Sequence, residues 1–186
     1  DRVLVEAGWA KPYGDLAQDY TETTSGFGAS DGLELGFRWR HHFSRTISLS
    51  PAFHFVDYRN FTSTGSDIGD YRISSSSLRY TLELMIIQGE ESSSARPFLA
   101  FSGGWYRNRV IGYNKTLVVP FDESVNTLGF AARGGVRLGL FELSAVYSLN
   151  RFDTVRYFNA GVNESYNWDN FGVRAGWIIP FSDGAH

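Results

Sequence analysis

Hydrophobic residues recur at every second position along much of this chain, and the rows they leave between them are charged. The last stretch, Asn170–Phe181, shows it most plainly. Phe171, Val173, Ala175, Trp177, Ile179 and Phe181 form one apolar row, opposite Asn170, Gly172, Arg174, Gly176, Ile178 and Pro180. In Asp31–Phe43, Leu33, Leu35, Phe37, Trp39 and His41 alternate with Glu34, Gly36, Arg38, Arg40 and His42. A period of two marks a strand, because successive side chains point to opposite faces. A soluble sheet would turn its apolar row to a core and its charges to water. Large apolar rows set against arginines and glutamates, strand after strand, suit the inverted arrangement, with apolar residues facing lipid and polar residues facing inward.

The same pattern predicts strands at Arg2–Lys11, Asp31–Phe43, Ile47–Tyr58, a fourth settling into register from Leu78 to Ile86, Pro97–Val110, Thr127–Leu138, Phe141–Phe152 and Asn170–Phe181. Pro51 lacks an N–H for the ladder and predicts a bulge in the third strand. The weakly patterned Ser74–Ser77 run predicts a bulge or ambiguous register in the fourth. Connections alternate long and short: Pro12–Ser30, Arg59–Asp70, Ile111–Asn126 and Asp153–Asp169 are long, and the turns between them are short. The expected fold is all-β: an eight-stranded antiparallel up-and-down transmembrane barrel with long outer loops, short periplasmic turns and both termini periplasmic. Closing the sheet removes its edges, which a water-free bilayer core requires.

Composition adds limits. The chain's 186 residues are expected to form one barrel domain, 1–181, followed by a short polar tail, 182–186. It has no cysteine, which excludes disulfides and thiolate metal sites, and its net charge of −3 offers no field for nucleic acid. No apolar run approaches the ~18 residues of a membrane-spanning helix. No basic-plus-apolar leader is present either, so in an exported protein Asp1 would be the mature start.

Eight strands enclose a space that side chains can fill. The inward set is expected to be Glu6, Glu34, Arg38, Arg40, His42, His54, Arg79, Glu83, Arg133, Arg137, Glu142 and Arg174, paired with one another as a plug. On the outward row of the fifth strand, Trp105 is followed by Arg107 and Arg109, an arrangement suited to lipid headgroup phosphates and equally to an ordinary aromatic girdle with a charged rim.

Arg174, Gly176, Ile179 and Phe181 fit the polar, any, Gly, any, any, apolar, any, aromatic signal that ends bacterial outer-membrane barrels, although this chain continues to His186. With that motif, Arg2–Phe181 resembles the small eight-stranded outer-membrane barrels of the OmpX type and the membrane domain of the OmpA type. The resemblance implies residence in the bacterial outer membrane, contact with its lipids including lipopolysaccharide, and recognition by the barrel assembly machinery. That family includes anchors, adhesins, narrow pores and a few lipid-modifying enzymes, so the resemblance supplies no function. The expected one is a non-enzymatic anchor or surface-exposed interaction protein, binding a protein or glycan at its outer loops. Loop aromatics suited to that role are Tyr13, Tyr20, Phe27, Phe61, Tyr113, Phe121, Tyr157, Phe158 and Tyr166. The alternatives are a narrow channel, a lipid-modifying hydrolase, and a soluble lipocalin-like carrier in which every assignment would be inverted.

The chemical candidates are thin, and no cofactor is expected. Some barrels of this size deacylate lipid A through a His-x-Ser pair and a Glu, and His42-Phe43-Ser44 matches the triplet alone, at the end away from the outer leaflet. His41 and His42 point to opposite faces and cannot share a metal. His54 is expected to bond to a carboxylate. Asp15, Asp19, Glu22 and Asp31 lack calcium-loop spacing. Gly26–Gly32 lacks the spacing of a phosphate loop, and the sequons at Asn60, Asn114 and Asn163 are adequately explained by loop composition.

Overall fold

The computed structural model describes residues 1–17, 28–63, 71–90, 92–114, 120–153 and 165–180. Its strands are β1 (Arg2–Pro12), β2 (Gly32–His42), β3 (Ile47–Ser63), β4 (Tyr71–Ile87), β5 (Arg96–Asn114), β6 (Pro120–Leu138), β7 (Phe141–Asp153), β8 (Ser165–Asn167) and β9 (Asn170–Pro180). Neighbours in the chain pair antiparallel from β1 to β7, and β9 pairs with both β7 and β1. The sheet therefore closes into an eight-stranded barrel, with β8 a short addition beside β7. Closure runs from Arg2 opposite Pro180 to Pro12 opposite Asn170, so the first and last barrel strands satisfy one another along their whole length. Phe181 and the tail 182–186 lie outside the described residues.

The alternation holds. Leu33, Leu35, Phe37 and Trp39 are exposed on β2, as are Phe141, Leu143 and Tyr147 on β7 and Val173, Trp177 and Ile179 on β9. Leu33 keeps 69% of its surface open, which in water would be a liability and in lipid is the stable arrangement. The inward rows are buried: Glu34, Arg38 and Arg40 on β2, Glu142, Ser144, Val146 and Ser148 on β7, Arg174 on β9. Two lumen glycines make room for larger neighbours. Gly36 lies opposite His54 in the ladder, and a Cβ there would run into the imidazole. A Cβ on Gly129 would meet the Tyr106 ring at 2.5 Å.

Three local expectations need correction. Pro51 causes no bulge: it pairs in step with Leu82 on one side, and on the other the register resumes unchanged from Arg38–Ala52 to His41–Leu49. The ladder loses contact there without slipping, because one missing N–H removes a bond and inserts no residue. The irregularity expected in Ser74–Ser77 is present opposite Ser74, where the register shifts between Tyr58–Ser75 and Phe61–Ile73, but the extra residue belongs to β3, and β4 pairs continuously with β5. The connections Arg59–Asp70 and Ile111–Asn126 are shorter than expected, because β3 extends to Ser63, β5 to Asn114 and β6 back to Pro120. Strands β3 to β6 have 17, 17, 19 and 19 residues, against 11 in β1, β2 and β9. About 9–11 tilted residues cross the hydrocarbon, so these four strands project as a wall beyond it at the loop end.

Replacing Leu143 with Arg places a charge on the lipid face between Val136 and Ala175. We expect a loss of about 2–4 kcal/mol in reversible unfolding from bilayers. The same change at exposed Ser124, on the projecting part of β6, is expected to be near neutral.

Candidate functional site: a closed lumen

The lumen is filled in layers, and each layer follows from which inward residues its strands supply. The central layer is ionic. Arg38 on β2 donates from Nη2 to Glu6 Oε2 of β1 at 2.8 Å and from Nη1 to Glu83 Oε1 of β4. Arg133 on β6 forks onto Glu83 with Nε at 3.1 Å and Nη2 at 2.7 Å. Its Nη1 also lies 3.5 Å from Glu142 of β7 and 3.6 Å from Glu6. Arg40 holds Glu142 with both terminal nitrogens, Nη2 at 3.0 Å. His54 of β3 meets Glu6 Oε2 at 2.9 Å, as expected for a carboxylate-bonded lumen histidine. Beside this network, Arg174 of β9 donates to Glu34 at 2.7 Å, and Arg79 stands 3.9 Å from the same carboxylate.

Arg79 begins the next layer. Its guanidinium donates to the Tyr58 hydroxyl at 3.2 Å and the Ser148 hydroxyl at 3.3 Å, and stacks over the Tyr106 ring at 5.1 Å. Next to it, Asn108 and Asn150 exchange amide hydrogen bonds at 2.9 and 2.8 Å, and Ser77 donates to Asn108 at 2.9 Å.

The loop end is closed by an apolar cap that sequence reasoning did not find. Ala10, Leu16, Ala29, Val56, Tyr58, Ile73, Val110, Phe152, Tyr166 and Trp168 form one buried cluster. Trp168 is wholly buried, its ring 5.2 Å from Phe152 in an edge-to-face pair. The chain folds inward here through specific backbone bonds. Tyr13 N donates to Asp169 O at 2.7 Å, Ala29 N to Leu16 O at 2.8 Å, and Trp168 N to Asn150 O at 2.8 Å. Asp15 accepts from Asn167 N at 2.6 Å, and is therefore engaged in holding β8. Tyr166 is a correction: it was expected to contact a partner and is buried in the cap. The available signal was the alternation Tyr166-Asn167-Trp168, which shows that row turning to an interior. Tyr13 remains exposed. Tyr20, Phe27, Tyr157 and Phe158 lie outside the described residues, as do Asp19 and Glu22.

Other expected site residues fall elsewhere. Arg137 faces inward but does not join the ionic network; its Nε donates to Gly139 O at 3.2 Å near the short-turn mouth. Arg174, Gly176 and Ile179, named above for an assembly signal, lie on β9. Trp105, Arg107 and Arg109 are exposed on one outward row, and Arg109 is already bidentate to Asp122 of β6, at 2.8 and 2.5 Å. Those hydrogen bonds hold the Asp122 carboxyl below the usual carboxylate range. In the candidate triplet, Ser44 Oγ accepts from the N–H groups of Thr46 and Ile47, which makes it the organiser of the β2–β3 turn. His41 faces out onto Asp1, away from His42.

Removing one member of the ionic layer strands its partners. Glu83→Gln leaves Arg38 and Arg133 without their shared carboxylate, and we expect a loss of about 3–5 kcal/mol. Glu90→Gln, in an exposed turn, is expected to have no measurable effect in the same urea titration.

No family model matches the sequence, and no curated protein matches it. Solved structures do. Neisserial surface protein A superposes with a TM-score of 0.58 at 15% identity, covering 97% of this chain and 96% of that one. Ail, the attachment invasion locus protein of Yersinia pestis, in complex with the heparin analogue sucrose octasulfate, gives 0.53 at 10% identity, covering 96% and 97%. Identities this low speak for the fold, and the coverage extends over nearly the whole of both chains. With its closed antiparallel sheet, apolar exterior and charged lumen, the chain has the fold of the small eight-stranded outer-membrane barrels.

Proposed function

We propose that this protein is a non-enzymatic, non-conducting outer-membrane barrel with both chain ends in the periplasm. In this reading it acts as an anchor that presents an interaction surface at its loop end. The observation that carries the reading is the double closure of the lumen. An ionic layer joins β1, β2, β3, β4, β6 and β7, and an apolar cap centred on Trp168 covers the end above it. A conducting path needs a continuous wet column, and here carboxylates and guanidiniums neutralise one another across the lumen.

Among the described residues, the projecting wall of β3 to β6 is available for recognition. Above Trp105 and Leu128 its exposed face turns polar, with Arg107, Arg109, Asp122, Ser124 and Asn126. Such a face suits the phosphates of lipopolysaccharide or an anionic saccharide, and the heparin analogue in the Ail complex is a ligand of that kind. Folding of the chain in a cell would depend on the assembly machinery, through the motif on β9.

Two measurements test the proposal. Planar-bilayer recordings of the folded protein are expected to show no steady conductance, and Trp168→Ala alone is expected to stay closed because the ionic layer is untouched. Steady porin-like current from the wild type would favour the channel reading. Because the chain lacks cysteine, Ser124→Cys and Ser93→Cys report orientation in intact cells with an impermeant maleimide. Labelling is expected at position 124 only; labelling at 93 only would reverse the topology.

A further inference from the structure

The end of the barrel opposite the cap carries a second feature, a pocket of about 350 Å³ half open to solvent, lined by Arg2, Ser93, Arg96, Arg137, Gly139 and Leu140. Among the described residues its lining is cationic with no carboxylate. Arg96 and Arg137 face each other directly across β5 and β6, and both are more than nine-tenths buried, at 6% and 8% exposure. Like charges directly opposite on a sheet repel. The carboxylate best placed to relieve them is Glu142, cross-strand from Arg137, but it is held by Arg40 and Arg133.

The guanidiniums are anchored and incompletely used. Arg96 donates from Nη2 to Arg45 O at 3.0 Å, and Arg137 from Nε to Gly139 O at 3.2 Å. Arg96 Nε and Arg137 Nη1 are buried and have no partner, and His42 Nε2, on the inward row of β2 at the same end, also has none. A buried donor without an acceptor is costly, and a planar guanidinium is matched to the oxygens of phosphate and carboxylate.

We propose that this mouth is a binding site for a compact oxyanion, a phosphate monoester, phosphodiester or carboxylate, gripped by Arg96 and Arg137 with Arg2 closing over it. Contacts to carbonyls fix both buried arginines in place, so the site is built before the ligand arrives. Ser93 adds a hydroxyl at the rim. On the topology proposed above the mouth opens to the periplasm, where such an anion is supplied either by an inner-leaflet lipid headgroup or by a soluble molecule. The site's chemistry does not depend on that topology.

The test uses the whole folded chain, with arginine labelled at ¹⁵Nε, in phosphatidylcholine nanodiscs at low salt. Titration with inorganic phosphate is expected to shift the Arg96 and Arg137 Nε–H resonances saturably, and that of exposed Arg151, on β7 at the loop end, not at all. The double variant Arg96→Gln/Arg137→Gln is expected to bind about tenfold more weakly or worse, while Arg151→Gln binds as the wild type. A second series replaces part of the phosphatidylcholine with phosphatidylglycerol. Shifts with inorganic phosphate identify a soluble ligand as sufficient, and shifts only with phosphatidylglycerol identify the leaflet; either supports the site. Absence of saturable shifts in both series would overturn it, as would equal affinity in the double variant. Should that variant not fold, the wild-type titration still decides. Reversed maleimide labelling would leave this result standing, so failure of the topology and failure of the site are distinguishable.

Discussion

The bilayer interior offers no water, and every polar group within it must find its partner in the protein. That constraint shapes this molecule at two scales. On the backbone it demands a sheet without edges, and the pairing of β1 with β9 over their full lengths meets the demand. In the lumen it applies to side chains. Arginines and glutamates facing inward from six strands cannot stay apart, and they condense around Arg38 and Arg133. Burying these charges is expensive, so the network is better understood as setting register and closure than as a source of net stability. A slip of one residue in any participating strand would turn its charges to lipid and its apolar row to the lumen.

The two ends of the barrel solve the same problem in opposite ways. At the loop end the chain folds back into the opening. Leu16, Ala29, Tyr166 and Trp168 then bring apolar surface onto Val56, Ile73 and Val110 of the projecting strands. Burial of each large side chain there is worth roughly 1.5–3 kcal/mol, so the cap also holds the chain segments that carry it. At the short-turn end, Arg2 and the buried Arg96 and Arg137 line a pocket. The asymmetry separates an apolar-capped loop end from a cationic mouth at the other end.

Strand positions and side-chain parity were legible because a single repeating signal, period two with an inverted polarity, governs both. Each of Glu6, Glu34, Arg38, Arg40, His54, Arg79, Glu83, Arg133, Glu142 and Arg174 is buried on an inward row. Geometry alone distinguishes Arg137, whose cross-strand neighbour Glu142 is taken by Arg40 and Arg133. The extensions of β3, β5 and β6 were missed because Arg59–Ser63, Ile111–Asn114 and Pro120–Asn126 carry the polar, glycine and proline residues that usually mark loops. The cap was missed because Leu16 and Ala29 belong to no periodic row and the alternation at Tyr166–Trp168 spans only three residues; tertiary packing brings them together.

The central claim is that apolar rows face lipid and charged rows face a closed lumen. A spin-label scan of successive positions along β7, from Phe141 to Asp153, tests it most directly. Accessibility to lipid-dissolved oxygen is expected to be high at Leu143, Ala145 and Tyr147 and low at Ser144, Val146 and Ser148, with a water-soluble nickel complex excluded from both sets. The opposite parity, with the complex reaching Leu143 and Tyr147 or their even-numbered neighbours facing lipid, would contradict the account.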